Sequence, residues 1–272
     1  MNKLRSVLTL VLVAAITGCQ KTENVDPVAT ACTPQSHLQL KNAEDDWRAA
    51  ANPENPFDEI GLGHNRCLSS ILATVPVEGL SDASRVYDAG FEYGASRYDR
   101  SQLDRFAEVF TRDQVASVYE TLRSGIPEQA YVLELSGVQG DARDYLGRLL
   151  AQVYTNDAAE LSYDDLKRVI MRWEAGIASE RFGDQDRMAL YAFGSTLRYS
   201  LLAWQGVELP ADGQGHVELR NFWHHLFHWV ATAVFDAAGA IAGTAIGGPV
   251  GGVVGGAALS GGTYAIANSI WP

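Results

Sequence analysis

The densest group of side chains able to bind a metal is Trp223-His224-His225-Leu226-Phe227-His228-Trp229. On a helix, His224 and His228 share a face at the i, i+4 spacing that can hold a divalent cation, while His225 points about 100° away. A third ligand would have to come from His216, Glu218 or another segment. No acidic residue lies between the two histidines, so the general base of a zinc hydrolase of the HExxH kind is missing. The competing reading is a row of aromatic and imidazole groups at a lipid headgroup layer, where imidazole titration near pH 6.5 would make membrane contact pH-sensitive. No cofactor is expected.

Other constellations are weaker. His64 and Asn65 could pair with Asp58 or Glu59 as an acid/base unit, but buried or capping polar groups account for them more simply. Gly61-x-Gly63 lacks the third glycine and the preceding strand of a nucleotide loop. Residues 157–165 are acidic yet lack the central glycine of a calcium loop. Ser195 after Gly194 reads as small residues that let helices approach, because no strand precedes it.

The elements that must position these groups are helical. Asn55-Pro56 supplies a cap and a first-turn proline ahead of Ile60, Cys67, Leu68, Ile71 and Leu72. Ser101 with Asp104, and Ser162 with Asp165, have capping-box spacing. The first opens an apolar period through Leu103, Phe106, Phe110, Val118 and Leu122, the second one through Leu166, Val169, Ile170, Trp173 and Ile177. Tyr145 to Val153 and Met188 to Trp204 mark two more helices. No period-two alternation is present, so the expected fold class is all-α, with a helical domain over 55–206. A connector over 207–220 follows, then an aromatic helix and a glycine-rich segment over 221–272.

In that last segment Gly239, Gly243, Gly247, Gly251 and Gly255 recur every fourth residue, with a second ladder at Gly248, Gly252 and Gly256, and no charge follows Asp236. Small residues at this spacing form a groove into which another helix backbone settles, so the zipper predicts tight membrane packing and offers a route to homo-oligomers. Gly248-Pro249 should break the helix, because proline lacks an amide hydrogen and clashes one turn back. Two arms result, 229–248 and 250–271, each able to rise about 30 Å, one hydrocarbon thickness. Such a hairpin would set Gly239, Gly243 and Gly247 against Gly251 and Gly255, and bring Trp229, Tyr264 and Trp271 to one interface. Asp236 stands at its entrance as the odd charge.

At the other end, Lys3 and Arg5 precede an apolar run from Val7 to Ile16 and the tetrapeptide Ile16-Thr17-Gly18-Cys19. This resembles the lipobox of bacterial lipoproteins. The resemblance implies a signal peptide over 1–18 and lipidation at Cys19, with export to the outer membrane, facing the periplasm or the cell surface. Gln20-Lys21-Thr22-Glu23 is similar to the start of the surface-export signal of Bacteroidota lipoproteins, interrupted by Thr22. Residues 19–54 read as a polar tether. Asn55-Pro56-Phe57-Asp58-Glu59-Ile60-Gly61 with His64-Asn65 resembles a motif near the N-terminus of uncharacterised exported Bacteroidota proteins, and the tail is similar to glycine zippers of outer-membrane lipoproteins and to bacteriocin cores.

Removing Lys3 and Arg5 with the leader leaves 19 basic against 33 acidic residues, a formal charge of −14. That surface repels nucleic acid, so the expected partner is lipid, met through Cys19 and the tail. Cys32 and Cys67 could form a disulfide in an oxidising compartment, or Cys67 could be core. Together these readings predict a non-enzymatic, lipid-anchored envelope protein with a membrane-associating tail, structural or membrane-active. The alternative is a soluble helical binding or metal-dependent enzymatic domain with the tail packed as core.

Overall fold

The computed structural model describes residues 40, 44–124, 129–153, 162–205 and 219–270, all within one unit that runs from Gln35 to Pro272. The fold is all-α. In chain order the helices are α1 (Glu44–Trp47), α2 (Glu59–Thr74), α3 (Ala83–Arg97), α4 (Arg100–Val109), α5 (Arg112–Arg123), α6 (Gln129–Leu135), α7 (Gly140–Val153), α8 (Tyr163–Ile177), α9 (Asp184–Trp204) and α10 (Leu219–Ile270). Single 3-10 turns at Arg48–Ala50 and Val77–Gly79 join some of them.

Local chemistry sets the boundaries. Ser162 and Asp165 form the expected reciprocal box, each side chain accepting the other's backbone N–H, and α8 starts there. Ser101 and Asp104 do not: Asp99 caps α4 by accepting from the Ser101 amide at 2.8 Å. The long helix expected from Ser101 onward is two helices, because Thr111 forms its own capping box with Gln114 and restarts the chain as α5. Nor does Asn55-Pro56 open α2. The Asn55 Oδ1 accepts from the Phe57 amide at 2.8 Å while its amide nitrogen is drawn into the core, and the helix begins at Glu59.

The largest correction concerns the C-terminal segment. It is not a hairpin set apart from the helical domain, with its face to lipid; it is the domain's buried core. Val230–Thr263 is the stretch among the described residues long and apolar enough to cross a bilayer, and 78% of its most apolar window is buried inside the protein. The physical reason is coverage. Helices α9 and α2 pack most extensively on α10, and α3, α4, α5 and α6 complete the jacket, with α8 packed on α9 behind them. The jacket helices are amphipathic: α4 buries Leu103 and Phe106 while exposing Gln102, Asp104 and Arg105, and α8 buries Leu166, Ile170 and Ile177.

Within α10 the helical path breaks at Gly248, whose φ of 63° and ψ of −151° are open essentially to glycine alone. The residues on either side, 219–247 and 249–270, meet backbone to backbone. A Cβ on Gly239 would stand 2.6 Å from the Gly255 carbonyl oxygen, and one on Gly255 would stand 2.8 Å from that of Gly239. Gly243 and Gly251 approach each other more closely still. The other glycines serve the jacket. Gly247 faces the Phe106 ring of α4, not the opposite arm as the spacing suggested, and Gly256 makes room for His64 of α2, 2.8 Å from where a Cβ would lie.

Candidate functional site

Two polar clusters flank α9, one where it meets α8 and the segment before α2, the other where it meets α2 and α10. The first centres on Arg198, wholly buried in the middle of α9. Its Nε donates to Glu174 Oε2 at 3.0 Å, and one Nη donates to Glu174 Oε1 at 3.0 Å and to Asp58 Oδ1 at 2.5 Å. The other Nη donates to the Ala50 carbonyl. Asn52 and Asn55 each donate to a different Glu174 oxygen at 2.7 Å, and the Tyr199 hydroxyl donates to Asp58 Oδ2 at 3.1 Å. Burial alone would lower the Arg198 pKa, but Glu174 and Asp58 outweigh it and raise it. Every charge here is paired and hydrogen-bonded. The cluster pins the segment before α2 onto α8 and α9, and Gly61 and Ser195 permit the close approach, the Ser195 Oγ accepting from the Gly61 amide at 3.0 Å.

The second cluster is less satisfied. Asn65 Nδ2 donates to the Tyr199 carbonyl at 2.9 Å, which fixes its amide so that Oδ1 faces His64 Nδ1 at 3.1 Å. An amide oxygen only accepts, so His64 Nδ1 carries the hydrogen and Nε2 is a bare acceptor. That nitrogen has no hydrogen-bond partner and stands 3.9 Å from Asp236 Oδ2 on the first arm of α10. Asp236 Oδ2 accepts from Ser200 Oγ and, at 2.9 Å, from Trp204 Nε1, while Oδ1 has no partner. Both side chains are 0% exposed.

Burial dominates both ionisations. It lowers His64 from 6.5 to about 4 despite the Asn65 contact, and raises Asp236 from 3.8 to about 7 against the Ser200 and Trp204 hydrogen bonds. Between those values both groups are neutral. Sealed from solvent, the pair cannot touch an external substrate in this state.

The motif singled out in the sequence therefore divides between the clusters: Asn55 and Asp58 serve Arg198, and His64 and Asn65 meet Asp236 and Tyr199. His64 and Asp58 do not form the acid/base unit considered above. Cys67 is a free, buried thiol, its Sγ 4.0 Å from the Gly90 carbonyl oxygen. Cys19 and Cys32 lie outside the described residues, as do the side chains of His224, His228, Trp229 and Tyr264 and all of Trp271. Among the described residues no group of three His, Cys, Asp or Glu could hold a metal. Reading the sequence alone overlooked Arg198 and Glu174. Their signal was a lone charge in each of two apolar helix faces.

No protein-family model, curated protein or solved structure matches the chain.

Proposed function

We propose that this chain is a non-enzymatic, lipid-anchored envelope protein that keeps a glycine-seamed helical hairpin sheathed in amphipathic helices and presents it to a membrane surface. One observation carries the reading: the two arms touch through backbone. Contacts between an apolar arm and an amphipathic jacket depend on water being excluded, and lose their driving force beside lipid tails. Contacts between glycine backbones rest on dispersion and close approach, and persist there. The hairpin can thus remain a unit while the jacket is exchanged for lipid. Its turn already meets solvent, with Ile246 37% exposed. The lipobox at Cys19 supports placement at an outer membrane.

Locking the second arm to α2 tests this. A Cβ on Gly63 would lie 2.8 Å from Val253 Cγ2, so Gly63→Cys with Val253→Cys places two thiols in bridging reach. In a Cys19→Ala background the reduced protein should bind and permeabilise phosphatidylcholine vesicles, and the oxidised protein should not. Equal binding in both states, or none in either, refutes the reading.

A soluble binding domain is the second reading. A surface groove of about 840 Å³ beside α2 and α3 includes Arg66, Tyr93, Arg97 and Trp47, whose buried indole N–H has no partner. Ligand-induced quenching of Trp47 fluorescence without vesicle binding would favour it.

A further inference from the structure

Resting on the membrane reading above, we propose that His64 is a proton sensor that licenses departure of the arms from the jacket, so that association with a lipid surface strengthens as the medium acidifies. The geometry is that of an imidazole sealed by the segment it controls. His64 belongs to α2, but its walls are α10: Gly256 of the second arm lies against its ring and Asp236 of the first arm faces Nε2 at 3.9 Å. While the arms are in place, Nε2 makes no hydrogen bond, and burial disfavours a second proton more than Asn65 and the Gly256 backbone favour it. Once they leave, the ring meets water and protonates freely.

The other groups around the pair whose ionisation is shifted are all pushed further above neutrality. From α9, Arg198 keeps its charge against Glu174 and Asp58. Burial pushes the phenol of Tyr199 upward, and likewise those of Tyr98 after α3 and Tyr119 of α5. The Cys67 thiol on α2 itself is also raised. The shifted values of His64 and Asp236 bracket the range from pH 4 to 7.

Their coupling separates two kinds of opening. If the chain unfolds into water, His64 regains its ordinary value of 6.5 and takes up a proton below it, while Asp236 returns toward 3.8 and releases one. The exchanges cancel, so the pair's joint contribution to stability in water stays nearly level from pH 6.5 to 4. If the arms instead move to lipid, Asp236 remains in an apolar setting and keeps its proton. His64 alone then titrates, and release gains about tenfold per pH unit of acidification.

The experiment measures flotation of the Cys19→Ala protein with phosphatidylcholine vesicles from pH 8 to 5, beside urea unfolding without lipid. The zwitterionic surface limits attraction or repulsion of the acidic chain. The expected result is roughly fifteenfold stronger association between pH 6.5 and 5, with little change in the urea midpoint. His64→Gln should bind with the slope abolished. Asp236→Asn, which keeps the sensor, should retain the slope in flotation while becoming acid-labile in urea. A slope that survives His64→Gln, or wild-type binding independent of pH, overturns the sensor and leaves the sheathed hairpin standing. Absence of binding at every pH refutes the hairpin reading itself, and the sensor with it.

Discussion

Gly243→Ala is the smallest change that interrogates the seam between the arms. Helix propensity alone favours alanine over glycine by about 1 kcal/mol, so an isolated or loosely packed arm would be stabilised. The structure reverses that sign. An added Cβ at Gly243 would fall inside the van der Waals shell of the Gly251 carbonyl oxygen, which is backbone and cannot rotate away. Relief requires parting the arms by more than an ångström, and overpacking of this kind typically costs about 1–3 kcal/mol. Gly261, on the second arm, is the matched control. A Cβ there would meet Val86 Cγ1 at 3.5 Å and Leu80 Cδ2 at 3.7 Å, ordinary contacts. Gly261→Ala should therefore gain up to about 1 kcal/mol. Thermal unfolding of the Cys19→Ala protein followed by far-ultraviolet circular dichroism would read the two variants. A net loss of up to about 2 kcal/mol at Gly243 corresponds to a midpoint lowered by up to roughly 4–8 °C, against a rise of roughly 2–4 °C at Gly261. If both alanines raise the midpoint, the arms do not touch at Gly243 and no backbone seam joins them.

Arg198→Met would leave Glu174 buried without its cation, and should destabilise the fold by about 3–5 kcal/mol in urea titration; a loss below 1 kcal/mol would mean water reaches the cluster. Asp236, with its carboxyl raised from 3.8 to about 7, contributes stability that is present below pH 3.8, declines as pH rises and is gone above about 7. Asp236→Asn should accordingly gain on the order of a few kcal/mol at pH 8 relative to wild type, a difference that narrows toward pH 4. An equal effect at both pH values would place the carboxyl in water. Lipidation at Cys19 predicts palmitate-analogue labelling of the wild type that Cys19→Ala abolishes; equal labelling would remove the anchor.

Capped and periodic elements were readable from sequence. Ser162 with Asp165 marked the start of α8, and the Met188 to Trp204 period marked most of α9. Thr111 was not, because a single threonine among polar residues gives no sign that it ends one helix and begins another. The glycine ladder identified a seam but not all of its neighbours. Gly247 could not be assigned to Phe106 without knowing that α4 passes there. Whether an apolar segment is core or membrane contact depends on the amphipathic surface that the rest of the chain offers it, and composition of the segment itself carries no record of that surface. The Asp236 site was half visible. Its charge stood out against the apolar tail, whereas Ser200, Trp204 and His64 are ordinary residues until three helices bring them together.

The Arg198 cluster joins residues far apart in the chain: Asn52 reaches Glu174, Asp58 reaches Arg198, and α2 then rests on α10. A nascent chain that emerges N-terminus first must hold its opening segment unpaired until α9 is out, and α2 to α6 each lack a packing partner until α10 follows. Non-local pairing of this kind slows folding and prolongs exposure of apolar faces. Helix α10 is also the one on which α2, α3, α4, α5, α6 and α9 all pack. A chain cut short before Gly239 would leave the apolar faces of α2 to α6 without α10 to cover, a ready substrate for proteolysis.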